Sequence, residues 1–201
     1  MEGMAQFPDK YFDLAIVDPQ FGIGCFWNKQ THTKHYGKKD WNNKPPDKSY
    51  FNELFRISNN QIIWGGNYFC HNLPITNSWI IWDKENDVEK MNTSECELAW
   101  TSLKIPMRKI KIPWSGGRKG NETGNKNIHP CQRPVSLHKW TLNKYAKPDM
   151  KIIDTHVGSA SSIIAFLDYG CDWIGFEIDP DYHKSGSERI EIHKQQLKLF
   201  L

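Results

Sequence analysis

Short apolar runs recur along the chain, and between them lie longer stretches whose apolar residues return every three or four positions. The runs at 13–17 (DLAIV), 61–64 (QIIW), 79–82 (WIIW), 97–101 (ELAWT), 151–153 (KII) and 173–176 (WIGF) predict strands. Helices are predicted over 47–58, 134–146, 160–169 and 180–199. In the second of these, Val135, Leu137, Trp140, Leu142 and Tyr145 make one apolar face behind Pro134. In the last, Asp179-Pro180 opens the helix and Gly186 weakens its middle. Strands alternating with helices predict an α/β fold with a largely parallel sheet. No internal repeat or low-complexity segment interrupts the pattern.

Length and composition narrow this further. At 201 residues the chain is expected to form a single domain with a real core. No apolar run approaches the roughly 18 residues of a membrane span. The first residues, MEGMAQFPDKYFD, lack the basic-then-apolar pattern of a secretion signal, so a cytoplasmic protein without membrane contact is expected. The five cysteines are odd in number and none forms a Cys-x-x-Cys pair, which fits reduced thiols and no metal site. His32 and His35 near Cys25 have no second ligand pair of recognisable spacing.

The net charge is only +3, but it is unevenly placed. Between Asn28 and Lys48 lie Lys29, Lys34, Lys38, Lys39, Lys44 and Lys48 against two aspartates. Between Met107 and His129 lie Arg108, Lys109, Lys111, Arg118, Lys119 and Lys126 against Glu122 alone. Both stretches are rich in Gly, Asn, Pro and Trp and read as loops. They are either solvated surface or two arms for a phosphate backbone.

Three stretches carry candidate chemistry. The first is LAIVDPQFGIG (14–24), a buried strand that ends on a carboxylate, a proline and an aromatic ring. On residue types alone this is also a common way to turn out of a strand. The second is KIIDTHVGSASSIIAFL (151–167), with the strand, small-residue turn and helix of a nucleotide-binding unit. Its small residues let a ligand approach the backbone, and the helix start offers free N–H groups to a carboxylate or phosphate. About 20 residues on, Glu177 closes the next strand, where it can accept ribose hydroxyls. Gly-x-Gly-x-x-Gly is absent, which disfavours a nicotinamide dinucleotide; an adenosyl ligand with an amino-acid tail suits the pattern better. The third is HPCQRPVSLHKW (129–140), where Gln132 and Arg133 precede a helix and could meet a carboxylate.

Taken in order, DPQFG, NQIIWGGNYF, WIIWDK, ELAWTS, HPCQRPVSLHKW, DTHVGSASS and WIGFEID resemble the β-class amino-methyltransferases of DNA, in particular the phage- and prophage-type N6-adenine enzymes. The resemblance runs from the first residues to about Asp181. It implies a Rossmann-like, S-adenosylmethionine-dependent methyltransferase sheet with helices on both faces, in the permuted order that puts the catalytic motif before the cofactor motif. It implies that Asp18, Pro19, Gln20 and Phe21 form the catalytic motif. Asp154, Thr155, Gly158, Ser159, Ala160 and Ser161 would form the methionine-side cofactor loop, Glu177 the ribose contact, and His129, Gln132 and Arg133 the block by the cofactor's amino-acid end. It makes 107–128 a short target-recognition loop. Lys34, Lys38, Lys39, Arg108, Lys109, Lys111, Arg118 and Lys119 are then expected on double-stranded DNA; a dimer is compatible with the family.

The chain departs from the family at Gln20, where proline is usual, and at Ala160, where glycine is usual. The family's short acidic stretch beside the cofactor's adenine would precede MEGM, so its loss would weaken cofactor binding. Cytosine-N4 enzymes of this kind more often carry serine at position 18, so adenine is the expected target. N4-cytosine, RNA adenine and a non-catalytic nucleic-acid-binding remnant are the alternatives.

Overall fold

The computed structural model describes residues 1–24, 39, 41–86, 94–114 and 118–198, the side chains of the last two excepted. Lys34, Lys38, Cys25, His32 and His35 lie outside these residues. Among the described residues, seven strands form one sheet: β1 (Phe12–Val17), β2 (Ser58–Trp64), β3 (Trp79–Asp83), β4 (Cys96–Thr101), β5 (Arg108–Lys111), β6 (Lys151–Asp154) and β7 (Asp172–Gly175). Their order is β5-β3-β4-β2-β1-β6-β7. All run parallel except β4, which is antiparallel to both of its neighbours.

β1 from Leu14 on and the later residues of β2 and β4 are continuously buried because both faces of the sheet are covered there. Leu14, Ile16, Ile62, Trp64 and Ile152 face one core cluster, which includes Leu137 and Leu142 of helix α3 (Val135–Tyr145) and Ile163 and Phe166 of α4 (Ser161–Tyr169). Ala15, Val17, Ile63 and Ile153 face the other, with Phe51, Leu54 and Ile57 of α2 (Lys48–Ile57) and Met4 of the single-turn α1 (Glu2–Ala5). Asp47 caps α2 by accepting from the Tyr50 N–H, which is why that helix starts where the sequence predicts. The last helix, α5 (Pro180–Lys198), passes close to the β6–α4 turn. There a side chain at Gly186 would come within 3.3 Å of the Gly158 carbonyl and 3.4 Å of the Ala160 methyl. That close approach explains a glycine in mid-helix.

The expected loop at 107–128 needs correction, because residues 108–111 are the edge strand β5 and 120–122 form a 3-10 turn. Only Ile110 in Arg-Lys-Ile-Lys is apolar, so no alternation announced a strand. The exposed charges suit an unpaired sheet edge, which they protect from pairing with other chains.

Two strand ends now lie side by side. β1 and β6 are adjacent and parallel, and their chains leave towards opposite halves of the sheet. A crevice beyond the carboxyl ends of such a pair is where open α/β sheets take their ligands.

Candidate active site

A cavity of about 1430 Å³ opens at this crevice. It exceeds the roughly 300–1,000 Å³ of a site for one small ligand, so it has room for two groups. Asp18, Pro19, Gln20 and Phe21 line it from β1; Asp154, Thr155, Gly158, Ser159 and Ser161 line it from β6 and its turn; Glu177 lines it after β7. His129, Gln132 and Arg133 complete the wall. Ala160 is fully buried behind the turn instead.

On the β1 side, the Asp18 carboxylate is held by a guanidinium. Arg133 donates from Nε to Oδ2 and from Nη2 to Oδ1, both at 2.5 Å. Its remaining nitrogen, Nη1, donates to Glu97. Lys84 pairs with the other oxygen of Glu97 at 2.5 Å. Expected at the cofactor's amino-acid end, Arg133 is thus bonded to Asp18 at the Asp-Pro-Gln-Phe strand end. Burial pushes the Asp18 carboxyl above its usual value, with Arg133 pulling the other way. Burial alone would also raise Glu97, but Arg133 and Lys84 outweigh it and hold that carboxyl below its usual value.

Phe21 lies over Gly65, where a β-carbon would come within 2.0 Å of the ring. Gly65 has φ +71°, a conformation glycine adopts without penalty. The ring stacks on Tyr68 with centroids 4.6 Å apart and planes 14° apart. Asn42 closes the motif: its side-chain oxygen accepts from Gly22 N–H and its amide donates to the Gly24 carbonyl.

The β6 side is built differently. Asp154 accepts from the Ser162 hydroxyl at 2.6 Å and from the His156 N–H at 2.9 Å. These bonds tie the strand end to the start of α4. Burial raises this carboxyl to about 7, against the pull of its hydrogen bonds. Glu177 accepts from Gly158 N–H at 2.7 Å and Asp179 N–H at 2.8 Å, which sets its carboxylate against the turn. Gly158 has φ +52° and lies under the ring of His129. His129 stacks on Trp41 and meets Tyr182 edge-on. Burial drops its pKa to about 4, although Asp179 opposes this, so the ring is neutral at pH 7. Gln132 accepts from Ile128 N–H, shaping the loop before α3. Arg189 donates to the Ser159 carbonyl and the Ser161 hydroxyl, holding the turn from α5.

The described cationic residues expected on nucleic acid lie outside this cavity. Lys39 bridges Asp179 and Asp181. Lys109 and Lys111 pair with Asp83 and Glu85 along the exposed β5 edge, and Lys119 donates to the Asn125 carbonyl. Arg108 and Arg118 are exposed. No group of three residues able to hold a metal occurs among the described residues, and no described helix is long and apolar enough to cross a membrane.

No family model matches the chain. A sequence relative in Escherichia coli K12, named "Putative methylase YubD", is 23% identical over 93% of this chain and 85% of that protein. Among solved structures, the M1.HpyAVI–SAM complex superposes with a TM-score of 0.60 at 16% identity, over 94% of this chain and 91% of that one. A putative DNA modification methylase of Thermus thermophilus, TTHA0409, complexed with S-adenosyl-L-methionine, gives 0.61 at 14% identity over 96% and 90%. The cytosine-N4-specific PvuII DNA methyltransferase gives 0.60 at 14% over 92% and 82%.

The fold is the Rossmann-like methyltransferase fold.

Within that fold, sequence reasoning missed Glu97, Lys84, Tyr68 and Arg189. The signal for Glu97 was present only as direction. Because β4 runs backwards, its first residues, not its last, sit on the edge that carries Asp18. Nothing in ELAWT reveals which way the strand runs.

Proposed function

We propose that the protein transfers a methyl group from S-adenosylmethionine to the exocyclic amine of a base flipped out of double-stranded DNA, with adenine N6 as the target. The observation that carries this reading is the shared cavity: the Asp-Pro-Gln-Phe strand end and the small-residue turn with its acidic neighbour open on one space. The fold, shared with the PvuII DNA methyltransferase and a putative DNA modification methylase, supports it. So does the donor set. Glu177 offers acceptors for ribose hydroxyls, and the start of α4 offers N–H groups to a carboxylate. Asp154, Thr155, Gly158, Ser159 and Ser161 would hold the methionine half, with Ala160 shaping the turn from behind.

Bound there, S-adenosylmethionine supplies an electrophilic sulfonium methyl. The chain's own task is to present the amine. Its lone pair is delocalised into the base ring, so it is a poor nucleophile. The Asp18 carboxylate accepting one N–H and the Pro19 carbonyl the other bias the nitrogen towards a tetrahedral form with a usable lone pair. The rest is positioning. The base must first leave the helix stack. Phe21, backed by Gly65 and Tyr68, offers it a face, a contact of roughly 1–3 kcal/mol. The cationic residues of the two basic stretches, Lys34, Lys38, Lys39, Arg108, Lys109, Lys111, Arg118 and Lys119, are assigned to the phosphate backbone. The setting is the cytoplasm, and residues 1–201 act as one methyltransferase domain.

The test is incubation with labelled S-adenosylmethionine and duplex DNA or RNA, followed by nucleoside analysis. Label in N6-methyldeoxyadenosine is expected. Label in N4-methyldeoxycytidine or in RNA would move the target, and no label in any nucleoside would contradict the assignment.

A further inference from the structure

One guanidinium in this cavity serves two carboxylates from opposite sides. Arg133 precedes α3 by two residues and its side chain is 6% exposed. Its Nε and Nη2 take both oxygens of Asp18, and its Nη1 takes Glu97. Its Cζ sits 5.1 Å from the ring centre of Trp64, 5.8 Å from Trp82 and 5.9 Å from Phe21. Planar guanidinium suits both tasks, two-point carboxylate binding and packing against rings, whereas an ammonium meets neither well. Lys84 then neutralises Glu97. The result is a row of alternating charge that ends at Asp18, with Arg133 buried and the other three partly exposed.

We propose that Arg133 and Glu97 are positioning residues of the reaction, Arg133 fixing the plane of the Asp18 carboxylate and Glu97, brought to that edge by the reversed strand β4, fixing Arg133. This deepens the methyl-transfer reading and rests on it. An ionised carboxylate has about four lone-pair sites. Arg133 uses one on each oxygen, which leaves capacity for an amine N–H at a fixed angle. A carboxylate free to rotate would accept the same proton but would not hold the nitrogen lone pair in line with the methyl group. Asp18 has other charged and titratable neighbours: Asp154 from β6, Tyr50 from α2 and Glu97 itself. Asp154 and Glu97 are acidic, and Lys84 lies beyond Glu97, so Arg133 is the cation in direct contact.

The test pairs two readouts on the full chain. The first follows the Asp18 carboxyl by 13C NMR titration, its signal assigned by its loss in Asp18→Asn. The second is single-turnover methyl transfer across pH. Arg133→Gln should raise the Asp18 midpoint by about 1–3 units and carry the acid limb of the rate with it. Arg133→Lys keeps the charge and loses the fork. Its midpoint should move by less than about one unit, while its rate falls at least about tenfold. Glu97→Gln should lower the midpoint by removing a like charge, and also slow transfer. Cofactor affinity should be unchanged in all three. A folded Arg133→Gln with the wild-type midpoint, or Arg133→Lys at the wild-type rate, overturns the proposal. If Arg133→Gln does not fold, the other two variants decide it. If the wild type transfers no methyl group, the functional reading fails on its own, and an unshifted Asp18 midpoint in these variants would separately remove the coupling.

Discussion

Asp18 and Asp154 end neighbouring parallel strands, point into the same crevice, and are met by opposite means. Asp18 is gripped by a cation through both oxygens. Asp154 has, among the described residues, only a hydroxyl and a backbone N–H. Both are raised by burial, but only Asp18 has a cation to oppose it directly, and Asp154 rises to about 7. Position in the sheet therefore does not assign a role; the partner does. A cation-bound carboxylate is a fixed acceptor suited to a hydrogen bond from a substrate N–H. A carboxyl held by neutral donors is a staple that shapes a turn.

The sharpest way to break this contrast is to remove each side chain in turn. Asp18→Ala should cost about 10²–10³-fold in single-turnover methyl transfer, the scale of one lost preorganised hydrogen-bond partner. Its melting temperature should also fall, because the buried Arg133 keeps Glu97 but loses the partner of its other two nitrogens. Gly65→Ala attacks the same side through its stacking surface. The new methyl meets the Phe21 ring at 2.0 Å, and the residue is forced to φ +71°. Transfer should fall roughly 10–100-fold, the size of one lost stacking contact. Stability should drop by about 1–2 kcal/mol from the left-handed backbone alone.

Asp154→Asn tests the staple. The folded value near 7 lies above the ordinary value of 3.8, so the folded state binds more protons between them. The contribution of Asp154 is therefore present at low pH and lost as pH rises from about 4 to 7. His129 and His156, both lowered to about 4 by burial, act in the opposite sense, since they must charge on unfolding in acid. The informative quantity is the difference between two melting curves. Asp154→Asn should gain on the wild type as pH rises from 4 to 7, and a constant difference would refute the assignment.

Ala160→Gly should do least. Ala160 holds φ +62° at the start of α4, where glycine relieves roughly 1–2 kcal/mol of strain. Its methyl is fully buried, so removing it loses roughly 1 kcal/mol of burial. Denaturant unfolding should put the variant within about 1 kcal/mol of the wild type.

How much of this was legible follows from the same contrast. The inner strands came through because burial on both faces left each with a run of apolar residues, and α2 because its apolar residues return at helical spacing. The two candidate turns, which the structure brings to one cavity, were readable because both lie at strand ends, where residue type and chain direction coincide. Edge strand β5 did not, since Arg108, Lys109 and Lys111 hide its single apolar residue. The partner of Asp18 did not either. Arg133 is 115 residues away in sequence, and Glu97 reaches the site only because β4 runs backwards. Ala160 read as a departure from a glycine pattern. It lies beside Gly186, which read as a weak point in another helix.

The central claim is that one cavity is divided, with Asp18 on the side of the reacting base and the Asp154–Ser161 turn with Glu177 on the side of the cofactor. Calorimetric titration of S-adenosylmethionine into wild type, Asp18→Ala and Glu177→Ala tests that division directly. The account predicts one site in the wild type and nearly equal affinity in Asp18→Ala. In Glu177→Ala it predicts a loss of about 1.5–3 kcal/mol, the worth of a hydrogen bond to a charged group. No binding to the wild type, or equal losses in the two variants, would contradict it.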